Sequence, residues 1–393
     1  MKKLMIALIF TIALAGTNAS AMTFKTGDDT IDLYASIRAY TVFTYTNPGD
    51  LSICGRPAGE SCSQFAIGLQ DNSRAGIKWT KGNFFLNNEW GITGVDASNA
   101  QLRLRFLYGD YKFGDGKSGR IRIGQLPGIV HTSANYDVKF SADNGLQGYG
   151  TIADVRRIGI NYEIGKFSVS AISMRQDEGA VTGRVSPAAP NTTNNFVEIM
   201  PRFEAAYSIT PSVKVAGTYV TASARRGGND KLYHVNAGHI MFAANPKLSD
   251  KVRLIASGFY SVNGGMYGMV SIGGDYSKSE AVNRDNYSAR PLLKSGTRNV
   301  EFDNTSVYGG AIAFAIDKFE AGFGIQSAGN NQWRENQTSM GIYANYKFKV
   351  SNLRITPEIG YLNSGDKFTP KGAAPAGEDV KGFRAGVQFR FDI

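Results

Sequence analysis

The sequence has 393 residues, a formal net charge of +10, 42% hydrophobic and 19% charged residues, 46 Gly, 12 Pro and 2 Cys. That composition excludes a disordered chain, which could not carry so much apolar surface, and the low Pro content excludes a collagen-like or Pro-rich protein. With 19 Tyr and 23 Phe against 3 Trp, and Gly abundant, the bias is toward strands and tight turns.

In chain order, Lys2-Lys3 form a basic start, Met5 to Gly16 an apolar run, and Ala19-Ser20-Ala21 a small-residue cleavage box. This pattern predicts a signal peptide over residues 1–21 and an exported domain over 22–393 that stays basic after loss of the two lysines. No later stretch reaches the roughly 20 apolar residues of a spanning helix, which excludes a helical membrane protein. Two classes remain for an exported β-rich chain: a secreted binding or structural protein, or an outer-membrane barrel, in which closure satisfies every backbone group in lipid.

The rest of the chain is a succession of segments of about ten residues with alternating polarity. Leu102, Leu104, Phe106 and Tyr108 alternate with Gln101, Arg103 and Arg105; Ile121 and Ile123 with Arg120 and Arg122; Ile158, Ile160 and Tyr162 with Arg157 and Asn161. Further on, Val213, Val215 and Tyr219 oppose Lys214 and Thr218, and Ile342, Tyr346 and Phe348 oppose Tyr343, Asn345 and Lys347. The last segment sets Phe383, Ala385, Val387, Phe389, Phe391 and Ile393 against Arg384, Gln388, Arg390 and Asp392.

Such alternation suits a soluble sandwich as well as a barrel. The connections decide, because short turns such as Lys81 to Asn83, Ile164 to Lys166 and Val350 to Asn352 alternate with long ones such as Asn47 to Ser63, Pro127 to Thr151 and Asn263 to Phe302. Short turns on one rim and long loops on the other are what an outer-membrane antiparallel barrel needs. The predicted strands are 30–46, 64–80, 83–94, 98–113, 119–126, 152–163, 167–176, 196–209, 212–223, 230–244, 251–262, 303–316, 319–328, 335–349, 353–364 and 380–393, sixteen in all. Eighteen is the alternative, with Met266 to Tyr276 pairing inside the longest connection. Tyr40, Phe43, Tyr45, Phe84, Phe348 and Phe391 are placed in the aromatic girdles.

Other chemistries lack their parts. Gly114-Asp115-Gly116-Lys117-Ser118-Gly119 matches G-x-G-x-x-G but lies between two alternating segments with no helix following, so it reads as a hairpin turn. The three histidines His131, His234 and His239 form no hydrolase motif, no G-x-S-x-G or H-E-x-x-H occurs, and no basic helix suggests nucleic-acid binding. No enzyme, cofactor or metal is therefore expected. Cys54 and Cys62 flank a Gly- and Pro-containing loop, and in an oxidising compartment they are read as a disulfide; a metal site is the alternative, though no His is near in sequence.

Four segments stand out: Asn87-Asn88-Glu89-Trp90-Gly91-Ile92, the run Gly119-Arg120-Ile121-Arg122-Ile123-Gly124-Gln125 leading into a long third loop, Arg156-Arg157-Ile158, and the alternating C-terminal strand. Together they resemble the general diffusion porins of Gram-negative outer membranes. The chain departs from the family's usual aromatic terminus by ending Phe391-Asp392-Ile393, and Val95 to Asn99 is short for an inter-subunit latch. The resemblance implies a third loop, Pro127 to Thr151, folded into the lumen. It implies a constriction with acids Asp137 and Asp143 on that loop and a basic wall of Arg38, Arg74, Lys78, Arg103, Arg105 and Arg157. It further implies passive diffusion of small hydrophilic solutes and ions and a homotrimer in outer-membrane lipid. The excess of basic residues on the inferred lumen side predicts a mild anion preference, and the mixed charges of Asp275 to Asp303 in a long outer loop suit contact with lipopolysaccharide. A substrate-specific channel is the alternative within transport.

Overall fold

The computed structural model describes residues 22–46, 61–70, 72–93, 101–115, 118–139, 145–153, 156–173, 194–226, 232–267, 270, 292–293, 302–331, 335–365 and 381–393. The expected leader 1–21, Cys54, Asp143 and most of the segment proposed as an extra strand pair lie outside them. Among the described residues, the alternating segments form sixteen barrel strands. These are β1 (Asp29–Thr46), β2 in two pieces (Cys62–Leu69 and Arg74–Lys81), β3 (Phe84–Thr93), β4 (Gln101–Lys112), β5 (Arg120–Pro127), β6 (Arg156–Ile164), β7 (Phe167–Ile172) and β8 in two pieces (Asn194–Ile199 and Arg202–Thr210). There follow β9 (Val213–Arg226), β10 (Leu232–Ala244), β11 (Val252–Val262), β12 (Ser306–Ile316), β13 (Phe319–Gly329), β14 (Gln337–Tyr346 with Phe348–Val350), β15 (Leu353–Asn363) and β16 (Lys381–Asp392).

Each strand pairs antiparallel with its sequence neighbours, and β16 pairs with β1 from Ser36↔Asp392 to Thr46↔Gly382, which closes the ring of sixteen among the described residues. Ala35 and Ile393 exchange two backbone hydrogen bonds of 2.8 Å at the end of that seam. Below it a strand outside the predicted set, Met22–Thr26, turns at Gly27 and pairs with Asp29 to Leu33, continuing the lane that β16 vacates. The breaks within strands have local causes. In β2, Gln70 N–H donates to Arg38 O at 2.8 Å and Ser73 Oγ accepts Arg38 N–H at 3.0 Å, so Gln70 and Ser73 both bond to Arg38 across the break. In β8 the break falls at Pro201, which has no N–H to give the ladder.

The polarity is inverted relative to a soluble protein. Ile67 and Leu102 are 72% and 73% exposed on the outside, and Phe65, Ile158, Ile240 and Ile359 share that face, while Arg38, Glu89, Glu204, Glu320, Glu358 and Gln388 are buried inside. An apolar outer band around a charged interior needs lipid outside and water inside, so the secreted soluble reading fails.

Two register expectations are corrected. A β-bulge between β3 and β4 pairs Glu89 with Phe106 and Trp90 with Leu104, leaving Arg105 as the extra residue. Beyond it the faces exchange, so Phe106 and Tyr108 turn inward with Asp110, while Leu107 and Tyr111 face lipid. Tyr40 lies opposite Gln388 on the inner face rather than in a girdle, whereas Phe43, Tyr45, Phe348 and Phe391 are exposed outward.

Candidate functional site

The connection after β5 folds into the barrel. Its described parts, 128–139 and 145–153, bond to inward side chains of β8 to β15. Glu204 Oε2 accepts Ile129 N–H at 2.8 Å, and the Lys214 ammonium donates to Ile129 O at 2.9 Å. Glu320 Oε1 accepts Asp137 N–H at 2.8 Å, and the Glu358 carboxylate accepts Lys139 N–H at 2.8 and 3.0 Å. From β2, Gln70 Nε2 donates to Lys139 O at 3.1 Å. Ser339 Oγ donates to Gly148 O at 2.6 Å, and Gln326 Oε1 accepts Gly150 N–H at 3.1 Å. Backbone polar groups inside a folded chain need partners, and here wall side chains supply them because the loop has no strand to join.

His239 adds a tether with a defined tautomer. Its Nε2 lies 3.0 Å from Val130 O, so Nε2 carries the proton, and Nδ1 accepts from the Tyr267 hydroxyl at 2.7 Å. Between the polar anchors sits an apolar seat: Tyr136, Val138, Leu146 and Tyr149 of the loop pack on Ile255, Ala311, Ala313, Tyr343 and Leu362 of the wall. Burying each such side chain contributes about 1.5–3 kcal/mol, so the loop is held by packing as well as by hydrogen bonds. Gly324 makes the close approach possible, since a Cβ there would lie 2.1 Å from Tyr149 O.

Asp137 stands inside the lumen, ion-paired with Lys139 of its own loop and with Lys347 of β14. Burial alone would push its carboxyl up, but the two ammonium groups outweigh burial and hold it down, at about 2. Lys347 also reaches Glu320 Oε2 at 3.3 Å, and Arg253 approaches the same oxygen at 3.6 Å, so the loop tip and the wall share one mixed-charge cluster.

The basic residues expected for the wall all project inward. Arg38 is buried, with Nε 3.4 Å from Ser36 Oγ. Arg74 and Arg105 converge on Glu89 at 3.6 and 2.7 Å, and Tyr34 donates to the other Glu89 oxygen at 2.8 Å. The Lys78 ammonium lies 4.9 Å from the centre of the Tyr34 ring. Arg103 is opposite Gly91, and Arg157 Nη1 donates to Arg156 O at 2.8 Å. Next to them Arg120 and Arg122 approach Asp110 at 3.4 and 3.1 Å. The described ion pairs of Asp137 are with Lys139 and Lys347. Cys62 is disulfide-bonded, and Cys54, the other cysteine of the sequence, lies outside the described residues.

Sequence reasoning missed the wall acids. Glu89 and Asp110 gather arginines, and Glu204, Glu320 and Glu358 anchor the loop. Their signal was the inward parity of each strand, which marks Glu320 and Glu358 as lumenal as clearly as it marks the arginines.

A closed barrel of sixteen strands, apolar outside and charged inside, with the long connection after β5 turned into the lumen, is the architecture of an outer-membrane porin. Solved structures agree on the fold. OmpT, an outer membrane protein of Vibrio cholerae, superposes with a TM-score of 0.50 at 13% identity over 94% of this chain and 100% of that one. The anion-selective porin of Comamonas acidovorans gives 0.51 at 12% identity over 92% of this chain and 100% of that one. OmpF of Salmonella typhi, in complex with daunomycin, gives 0.51 at 13% identity over 94% and 100%. No family model matches the chain. No curated protein matches it by sequence. The chain is thus an outer-membrane β-barrel of porin-like fold.

Proposed function

We propose that this barrel is a porin, a water-filled channel through which small hydrophilic solutes and ions diffuse passively, with a mild preference for anions. The inward loop carries the reading: it narrows a lumen too wide for side chains to fill, while polar and charged walls keep that lumen wet. The basic residues Arg38, Arg74, Lys78, Arg103, Arg105 and Arg157 lie on strands β1, β2, β4 and β6 within the sector β1 to β6, and Arg384 and Arg390 of β16 extend that sector across the seam. Asp137 and Asp143 are assigned to the constriction loop opposite this sector. The signal peptide 1–21, a Cys54–Cys62 disulfide bracing the first outer loop, contact with lipopolysaccharide and a homotrimeric assembly complete the proposal. Swelling of proteoliposomes in isosmotic small solutes tests it. Rates that fall steeply with solute size, and are higher for an anionic than a cationic solute of equal size, are expected; size-independent or absent swelling would overturn it.

A further inference from the structure

The inner register of β14, β15, β16 and β1 sets four cations in one line. Lys349 is opposite Arg354, Arg354 opposite Arg390, and Arg390 opposite Arg38. All four share the lumenal face: Arg354 lies on the side of buried Thr356 and Glu358, and Arg390 on the side of buried Gln388 and Arg384. Lys349 and Arg354 flank the Ser351–Asn352 turn, so the line lies near the short-turn mouth. One pleat repeat further in stand Lys347 and Gln388; Lys347 pairs with Asp137, and Gln388 donates to Gln70, which holds Lys139 O. The line therefore borders the constriction on its short-turn side.

Directly opposed like charges in a sheet are about 5 Å apart at Cβ and disfavour the pairing. Asp392 offsets part of this charge, its Oδ1 accepting from Arg390 Nε at 2.6 Å. We infer that the line Lys349, Arg354, Arg390 and Arg38 is a resting site for a multivalent oxyanion, with inorganic phosphate the simplest ligand. Planar guanidinium groups donate in pairs to tetrahedral or carboxylate oxygens, and neighbouring strands about 4.8 Å apart let two of them grip one anion from adjacent sides. A halide makes no use of that fork. The inference rests on the channel reading and adds to it a discrete site for one class of solute.

The test is chloride current through single channels at constant ionic strength, with inorganic phosphate titrated from the short-turn side. Saturable reduction of the current is expected. Arg354→Gln should raise the half-blocking concentration at least tenfold and Lys349→Gln about threefold, both with chloride conductance within twofold of the parent, which shows that the variants fold. Calorimetric titration of phosphate into protein in detergent free of phospholipid should show binding that Arg354→Gln weakens by the same factor of at least ten, which separates free phosphate from a lipid headgroup as the ligand. Chloride current with no saturable phosphate block, or equal block of parent and both variants, overturns the site alone. Silent membranes overturn the channel reading and the site with it.

Discussion

The seat of the inward loop can be tested by one methyl group. Gly324 faces the lumen on β13, and a Cβ built there lies 2.1 Å from Tyr149 O and 3.1 Å from a Leu146 methyl. In a close-packed interior the loop backbone must then retreat by roughly 1 Å before ordinary contact is restored. That movement strains the hydrogen bonds on either side, Ser339 Oγ to Gly148 O at 2.6 Å and Gly150 N–H to Gln326 Oε1 at 3.1 Å. At about 1 kcal/mol each, their loss costs the seated loop about 2 kcal/mol, roughly a 30-fold shift toward displaced positions. Strand β13 keeps its ladders to β12 and β14, so the barrel itself should stay closed. Single-channel recording of Gly324→Ala should show larger conductance with frequent fluctuation between levels, while resistance to unfolding by urea stays near that of the parent. Conductance and noise identical to the parent's, in a variant that carries the methyl, would refute the account of how the loop is held.

Other outcomes follow from the same geometry. Glu358→Ala leaves Lys139 N–H without its acceptor, and loss of that charge-assisted bond, worth about 1.5–3 kcal/mol, should raise current noise without abolishing the channel in planar bilayers. Because Asp137 is held down at about 2, its contribution is in place above the ordinary carboxylate range near pH 4 and is lost as pH falls through about 2. Conductance should therefore be flat from pH 4 to 8 if Asp137 dominates loop anchoring, and Asp137→Asn should reproduce the acid behaviour at neutral pH. Ile67→Arg places a charge on the lipid face and should cost about 2–4 kcal/mol if the site is near the midplane, read from the urea midpoint of folding into vesicles.

The fold was legible because lipid and water impose a period of two on every strand. Ile158, Ile160 and Arg157, or Phe383, Arg384 and Gln388, declare their faces from sequence alone. What alternation cannot show is a change of phase. The bulge at Arg105 comes from a local two-against-one pairing with β3, so Phe106 and Tyr108 read as outward when they line the lumen. The loop's docking sites were hidden for another reason: Glu320 and Glu358 act on backbone N–H groups about 180 and 220 residues away, and a backbone donor leaves no trace in residue type. The arginine cluster was visible as a set of charges, but its partition onto Glu89 and Asp110 required three-dimensional register.

In the proposed channel, lipid surrounds the apolar face and conducting water fills the cationic one. Zero-current potential across a planar bilayer holding the mature chain, under a tenfold potassium chloride gradient, tests both halves together. Stepwise conductance with a reversal potential displaced toward the chloride equilibrium value is predicted; an unbroken electrical barrier, or a displacement toward potassium, would contradict it.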